Sequence, residues 1–172
     1  MKYAHVERER RYLSKGVNSE LRPARVLRIR DSYVSHSTLR LRRIDEDGKT
    51  PVFKLGQKKR IGQDSPLRIA HTTMYISRAE FDLLTALPAQ ILEKQRHIFD
   101  LGNWQFAVDI FEGDLAGLSL VEVDLGPYGE VHPPLPLPDL VEVTLDERFT
   151  GGKLASTSPA ELQSVLSEFG VM

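Results

Sequence analysis

The chain has 172 residues, 41% apolar and 27% charged, with 12 glycines, 10 prolines and no cysteine. That length suits one domain over 1–172 with a core that needs no staple, and the missing thiols exclude disulfide scaffolds, thiolate zinc sites, iron–sulfur clusters and cysteine nucleophiles. With 23 Lys+Arg against 24 Asp+Glu the formal charge is -1, so no bulk field draws the molecule onto nucleic acid or membrane, and any polyanion site has to come from local arrangement.

The first residues, Met1-Lys2-Tyr3-Ala4-His5-Val6-Glu7-Arg8-Glu9, hold no apolar stretch of signal-peptide length. No later run approaches the roughly 18 apolar residues of a membrane helix. A soluble, cytoplasmic protein is expected, with neither nucleic acid nor membrane as partner. Segments in which apolar and charged residues alternate at every step predict strands over 4–13, 25–34, 37–44, 52–60, 68–76, 90–99, 104–112 and 118–126. That is about eight strands, near the number at which a closed barrel has room for one small ligand. Asp45-Glu46-Asp47-Gly48-Lys49 and Gly113-Asp114-Leu115-Ala116-Gly117 carry hairpin chemistry. Ser77-Arg78-Ala79-Glu80 reads as a capping box ahead of a helix that Pro88 stops. Ser158-Pro159-Ala160-Glu161 repeats the signature before a helix ended by Gly170. Between them, 127–138 holds five of the prolines and reads as a rigid surface crossing within the same domain.

Charge is segregated by strand. Glu7, Glu9 and Arg11 share one face by their spacing of two, as do Arg28 with Arg30, Arg40 with Arg42, Lys94 with Arg96, and Glu122 with Asp124. Lys54 and Lys58 share a face at a spacing of four, and the run Lys58-Lys59-Arg60 reads as a solvated strand end. For any single doublet a wet outer face suffices as explanation. Taken together, whole strands of one sign describe a lumen with a cationic wall and a carboxylate cluster once the sheet closes with these faces inward. Such like charges repel unless a ligand answers them, a polyphosphate for the cations and a hard divalent metal for the acids.

The opening Glu7-Arg8-Glu9-Arg10-Arg11 resembles the Glu-x-Glu-x-Lys start of the CYTH domains, the triphosphate tunnel metalloenzymes, with arginine where that family has lysine. The similarity continues in order through Asp31-Ser32-Tyr33-Val34, Leu39-Arg40-Leu41-Arg42, Lys58, Glu93-Lys94-Gln95-Arg96, the stretch from Phe106 to Gly113, Leu120-Val121-Glu122-Val123-Asp124, and the stretch from Val141 to Phe149. It spans roughly 140 residues, and the order of the pieces carries more weight than any one of them.

The resemblance implies an α+β fold, an eight-stranded antiparallel β-barrel or tunnel with a few flanking helices. It implies Mg2+ or Mn2+ held by Glu7, Glu9, Glu122 and Asp124, and a small-molecule triphosphate gripped by Arg40, Arg42, Lys58, Lys94, Arg96 and Arg148. Arg11 would meet the transferred phosphate. Where the family has an Arg-x-Glu-x-Glu run before the first helix, this chain has His71 and Thr73. His71 is then a candidate base, or a hydrogen-bonding residue of the wall, and Asp109 a candidate to position water, or a structural partner of a neighbouring cation. Tyr33 either lines the tunnel or packs as an ordinary strand aromatic, and Trp104 is expected in the core. The expected activity is a metal-dependent triphosphatase acting on inorganic triphosphate or a related organic triphosphate. The alternatives are a class IV adenylate cyclase and a non-catalytic nucleotide or polyphosphate binder. The protein is expected as a monomer or homodimer.

Overall fold

The computed structural model describes residues 5–15, 21–60, 69–126 and 131–171, with side chains over 8–15, 21–57, 70–126 and 131–171. The strands are β1 (His5–Glu7), β2 (Glu9–Leu13), β3 (Arg25–Val34), β4 (Leu39–Glu46), β5 (Val52–Arg60), β6 (Ile69–Ile76), β7 (Ala89–Leu101), β8 (Trp104–Phe111), β9 (Ser119–Asp124) and β10 (Val141–Glu142). Helix α1 (Arg78–Leu84) follows β6, and α2 (Gly151–Leu154) and α3 (Pro159–Glu168) end the chain. Both expected capping boxes form, Ser77 with Glu80 and Ser158 with Glu161, each side chain bonding the other's backbone N–H.

The strands make one antiparallel ladder in the order β1-β6-β5-β4-β3-β7-β8-β9-β2-β10. The antiparallel sheet with few helices fits the expected α+β class, with ten strands where about eight were expected. The first expected strand is broken at Arg8: β1 pairs with β6 at one edge of the ladder, and β2 lies near the other, between β9 and the edge strand β10. The chain passes from one end of the sheet to the other through Arg8, whose carbonyl accepts from Leu125 N–H at 2.8 Å, but among the described residues hydrogen bonds do not close the ladder. Two short elements, β10 and α2, carry no pattern long enough to read from sequence.

Register decides which face each doublet takes. Arg11 pairs with Glu122, Arg96 with Asp109, Arg42 with Asp31 and Arg40 with Tyr33, so these side chains share the inner face. Arg28 and Arg30 lie on the other face, where they pair with Asp47 and Glu93 in the open. Along the inner face charge gives way to apolar residues. Glu9 and Arg11 lead to Leu13, Glu122 to Leu120, Asp109 to Phe111, and Arg96 and Lys94 to Leu92. Leu13, Leu92, Phe111 and Leu120 then pack with Val143, Phe149, Leu154, Leu162 and Leu166 of the C-terminal segment in one buried cluster. The outer face of β7, β8 and β9 presents Phe99, Phe106, Val108, Val121 and Val123, covered by Leu135 and Leu137 of the proline-rich crossing and by Leu140 just after it, with Trp104 at its side. Residues 127–130 of that crossing lie outside the described residues. A third cluster joins Leu41 and Phe53 to Phe81 of α1. Among the described residues no helix is long and apolar enough to cross a membrane.

Phe149 is 1% exposed at the centre of the C-terminal cluster. Phe149→Ala is expected to cost about 3–5 kcal/mol of folding stability. A urea titration of both proteins measures it, with the lower midpoint expected in the variant.

Candidate functional site

Inner-face residues of seven strands meet the C-terminal segment around a cavity of about 890 Å³. Its wall includes Glu9, Arg11, Arg40, Arg42, Lys94, Arg96 and Glu122, together with His71 and Arg148. The structure thus brings nine of the expected site residues to one space. The side chains of Glu7 and Lys58 lie outside the described residues.

The charges are interleaved. Arg42 grips Asp31 with two bonds of 2.6 Å, and Asp31 is fully buried. Burial pushes the Asp31 carboxyl up, but the Arg42 guanidinium, its hydrogen bonds and Arg40 outweigh this and hold it below its ordinary value. Arg96 grips Asp109 in the same bidentate way at 2.6 Å on both oxygens, and Lys94 donates to the same carboxylate. Burial lowers the Lys94 ammonium below its ordinary value, with Asp109 opposing and Arg96 adding to the effect. Arg96 also reaches Glu122, and Arg11 joins Glu122 at 3.2 Å to Glu9 at 2.7 Å. A run of alternating signs therefore crosses the wall from β7 to β2.

Two expected site residues are not part of the cavity wall. Asp109 is fully buried, ion-paired to Arg96 and Lys94, and not among the residues that line the cavity. Asp124 is exposed at the end of β9, where it accepts from Gly126 N–H at 2.8 Å and stands apart from the cavity wall. Arg148 lines the cavity, but its guanidinium is shared between Asp146 at 2.8 Å and Glu168 at 2.7 Å. His71 lies on the inner face with Thr73, whose hydroxyl is 2.9 Å from His71 Nε2. Among the described residues no three His, Asp or Glu side chains gather as a metal cage.

Three features went unread in the sequence. Asp31 is the anchor of Arg42, a pairing visible only from the β3–β4 register. Gly56 leaves a gap on β5 that a Cβ would fill 3.3 Å from His71 Nε2 and 3.6 Å from an Arg40 nitrogen. Lys153 of α2 adds a further cation to the wall. The pair Gly151-Gly152 was the one available signal that a side chain from elsewhere approaches the backbone there.

No family model and no curated protein matches the chain. Among solved structures, the inorganic triphosphatase NE1496 is similar, with 25% identity and a TM-score of 0.55 over 89% of this chain and 96% of that one. A second structure, described as hypothetical protein NE1496, has 25% identity and a TM-score of 0.56 over 89% and 99%. The PH1012 protein from Pyrococcus horikoshii OT3 shares 12% identity with a TM-score of 0.50 over 96% and 91%, a likeness of fold alone. The chain has a CYTH-type tunnel fold. In this tunnel the half away from the C-terminal cluster carries the ionic wall, and the other half is packed with apolar side chains.

Asp31→Asn removes the charge that answers Arg42 and Arg40. The loss is expected to be about 3–5 kcal/mol of stability at neutral pH. Because folding lowers the Asp31 pKa, its contribution is present above the ordinary value of 3.8 and is lost as pH falls through the lower folded value. Denaturant titrations at pH 7 and in acid are therefore expected to give a wild-type advantage that shrinks in acid.

Proposed function

We propose that the protein is a triphosphatase that cleaves the terminal phosphoanhydride bond of inorganic triphosphate or a related organic triphosphate by water, releasing phosphate. The observation that carries this reading is Arg40. Its Nε is buried without a hydrogen-bond partner, 3.7 Å from an Asp31 oxygen that Arg42 already engages. Buried donors are ordinarily paired, and because Arg40 lines the cavity an anion entering there would complete the pairing of its guanidinium. The description of NE1496 as an inorganic triphosphatase supports the same reading.

Arg40, Arg42, Lys94 and Arg96 would bind the phosphate oxygens, with Asp31 and Asp109 holding the guanidinium planes in place from behind. Arg11, between Glu9 and Glu122, would meet the phosphoryl group being transferred. A cation of the Mg2+ or Mn2+ kind takes one or two carboxylates and completes its shell with waters and substrate phosphates, and the oxygen donors Glu9 and Glu122 fit that requirement. Once bound, it would polarise the phosphoryl oxygens and offset their charge. Arginines and lysines fixed before substrate arrives stabilise charge developing on the equatorial oxygens without reorganisation. Glu7, Lys58, His71 and Arg148 belong to the same proposal, as metal ligand, phosphate ligand, wall residue or base, and rim cation. The substrate is the small-molecule partner, and neither nucleic acid nor membrane is invoked.

The protein with Mg2+ or Mn2+ is expected to release phosphate from inorganic triphosphate, ATP or thiamine triphosphate, and a chelator is expected to stop it. Retained binding without phosphate from any of the three would overturn the reading, and pyrophosphate as the product from ATP would point to a cyclase instead. Glu9→Gln is expected to lower kcat/KM by about a hundredfold or more and to raise the metal concentration at half-maximal rate. Unchanged kinetics in that variant would remove Glu9 from the metal site.

A further inference from the structure

Arg40 stands between two cross-strand neighbours of opposite size. On β3 it is paired with Tyr33, and on β5 with Gly56. The guanidinium leans over the glycine, where a Cβ would come within 3.6 Å of it, and the tyrosine occupies its other side, with the phenol hydroxyl beside the guanidinium. Tyr33 is in turn held from above. A Cβ at position 151 would overlap the Tyr33 hydroxyl oxygen and lie 3.0 Å from Cζ, whereas a Cβ at 152 would meet the ring at an ordinary 3.7 Å. Gly151 is therefore required by the approach of one side chain. No positive φ imposes a glycine there.

We infer that Gly151 and Tyr33 are positioning residues for Arg40, and that the contact between the start of α2 and the Tyr33 hydroxyl sets the aim of the guanidinium that receives a substrate phosphate. The inference rests on the proposed function in assigning Arg40 a phosphate. Its structural content is separate: the C-terminal segment, besides packing the apolar end of the tunnel, controls the geometry of its charged wall through one side chain. Tyr33 has no freedom to yield toward β4 without moving Arg40, because the two residues face each other across the ladder. A side chain at 151 would push the ring in that direction. The same side chain at 152 would not.

The test measures calorimetric binding of inorganic triphosphate to the metal-free protein alongside steady-state kinetics and thermal unfolding. Gly151→Ala is expected to weaken binding and raise KM by about tenfold with kcat within about twofold, while Gly152→Ala stays near wild type. In an Arg40→Gln background, Gly151→Ala is expected to add less than about twofold, since its effect runs through Arg40. Tyr33→Phe removes the hydroxyl without adding an atom and is expected to relieve part of the Gly151→Ala defect. Equal effects at 151 and 152, a full Gly151→Ala effect with Arg40 already replaced, or no relief by Tyr33→Phe would each overturn the inference. If Gly151→Ala does not fold, Tyr33→Phe alone decides, with weaker triphosphate binding expected and unchanged binding overturning it. Wild-type protein that does not bind triphosphate would overturn the proposed function, whereas wild-type binding that Gly151→Ala leaves intact overturns only this inference.

Discussion

Every charge placed on the inner face of this sheet has to be answered inside a partly enclosed cavity. The solution is the buried acid beneath the arginine. Asp31 under Arg42 and Asp109 under Arg96 are each fully buried and each bound through both oxygens. A bidentate pair fixes the guanidinium plane as well as neutralising it, so the cations that face the cavity are oriented before any ligand arrives. Removing one partner leaves a buried charge uncompensated, which is why these acids matter to stability even though they do not line the cavity.

The ionic wall depends on the apolar half of the same strands. Two residues beyond Arg11 is Leu13, two before Glu122 is Leu120, and two before Lys94 is Leu92, and all three sit in the cluster built with Phe149, Leu154 and Leu162. The C-terminal helices thus anchor the strand ends whose other halves carry the site, with burial of large apolar side chains supplying the driving force. Because α2 begins against Tyr33, the same segment contributes to core, cavity wall and arginine geometry at once. The outer face is separately covered: the leucines of the proline-rich crossing lie on Val108, Val121 and Val123, and Tyr12 reaches His132 at 2.7 Å to tie that crossing to β2.

Much of the secondary structure was legible because its signals are local. The two-residue alternation placed most strands within a few residues of their ends, and the serine and glutamate of each capping box marked the starts of α1 and α3. The doublets at Arg40 and Arg42, Lys94 and Arg96 were legible as one-faced for the same reason. Which way a face points is not local. Arg28 and Arg30 have the same spacing as Arg40 and Arg42, yet they turn to solvent and pair with Asp47 and Glu93. Asp109 and Asp124 both sit on charged inner-face positions by alternation, but one is buried behind the wall and the other caps a turn at the strand end.

The sequence by itself determined a cysteine-free chain of alternating strands with charge sorted by strand, because strand periodicity and turn chemistry act over two to five residues. Only the tertiary structure decided that β1 and β2 part at Arg8 to join opposite ends of the ladder, that Asp31 rather than a cavity acid holds Arg42, and that Gly151 admits Tyr33. Each of these depends on register or on contact between segments more than a hundred residues apart or on different strands. Such pairings are chosen by the packing of the whole sheet, so no local pattern in the chain specifies them.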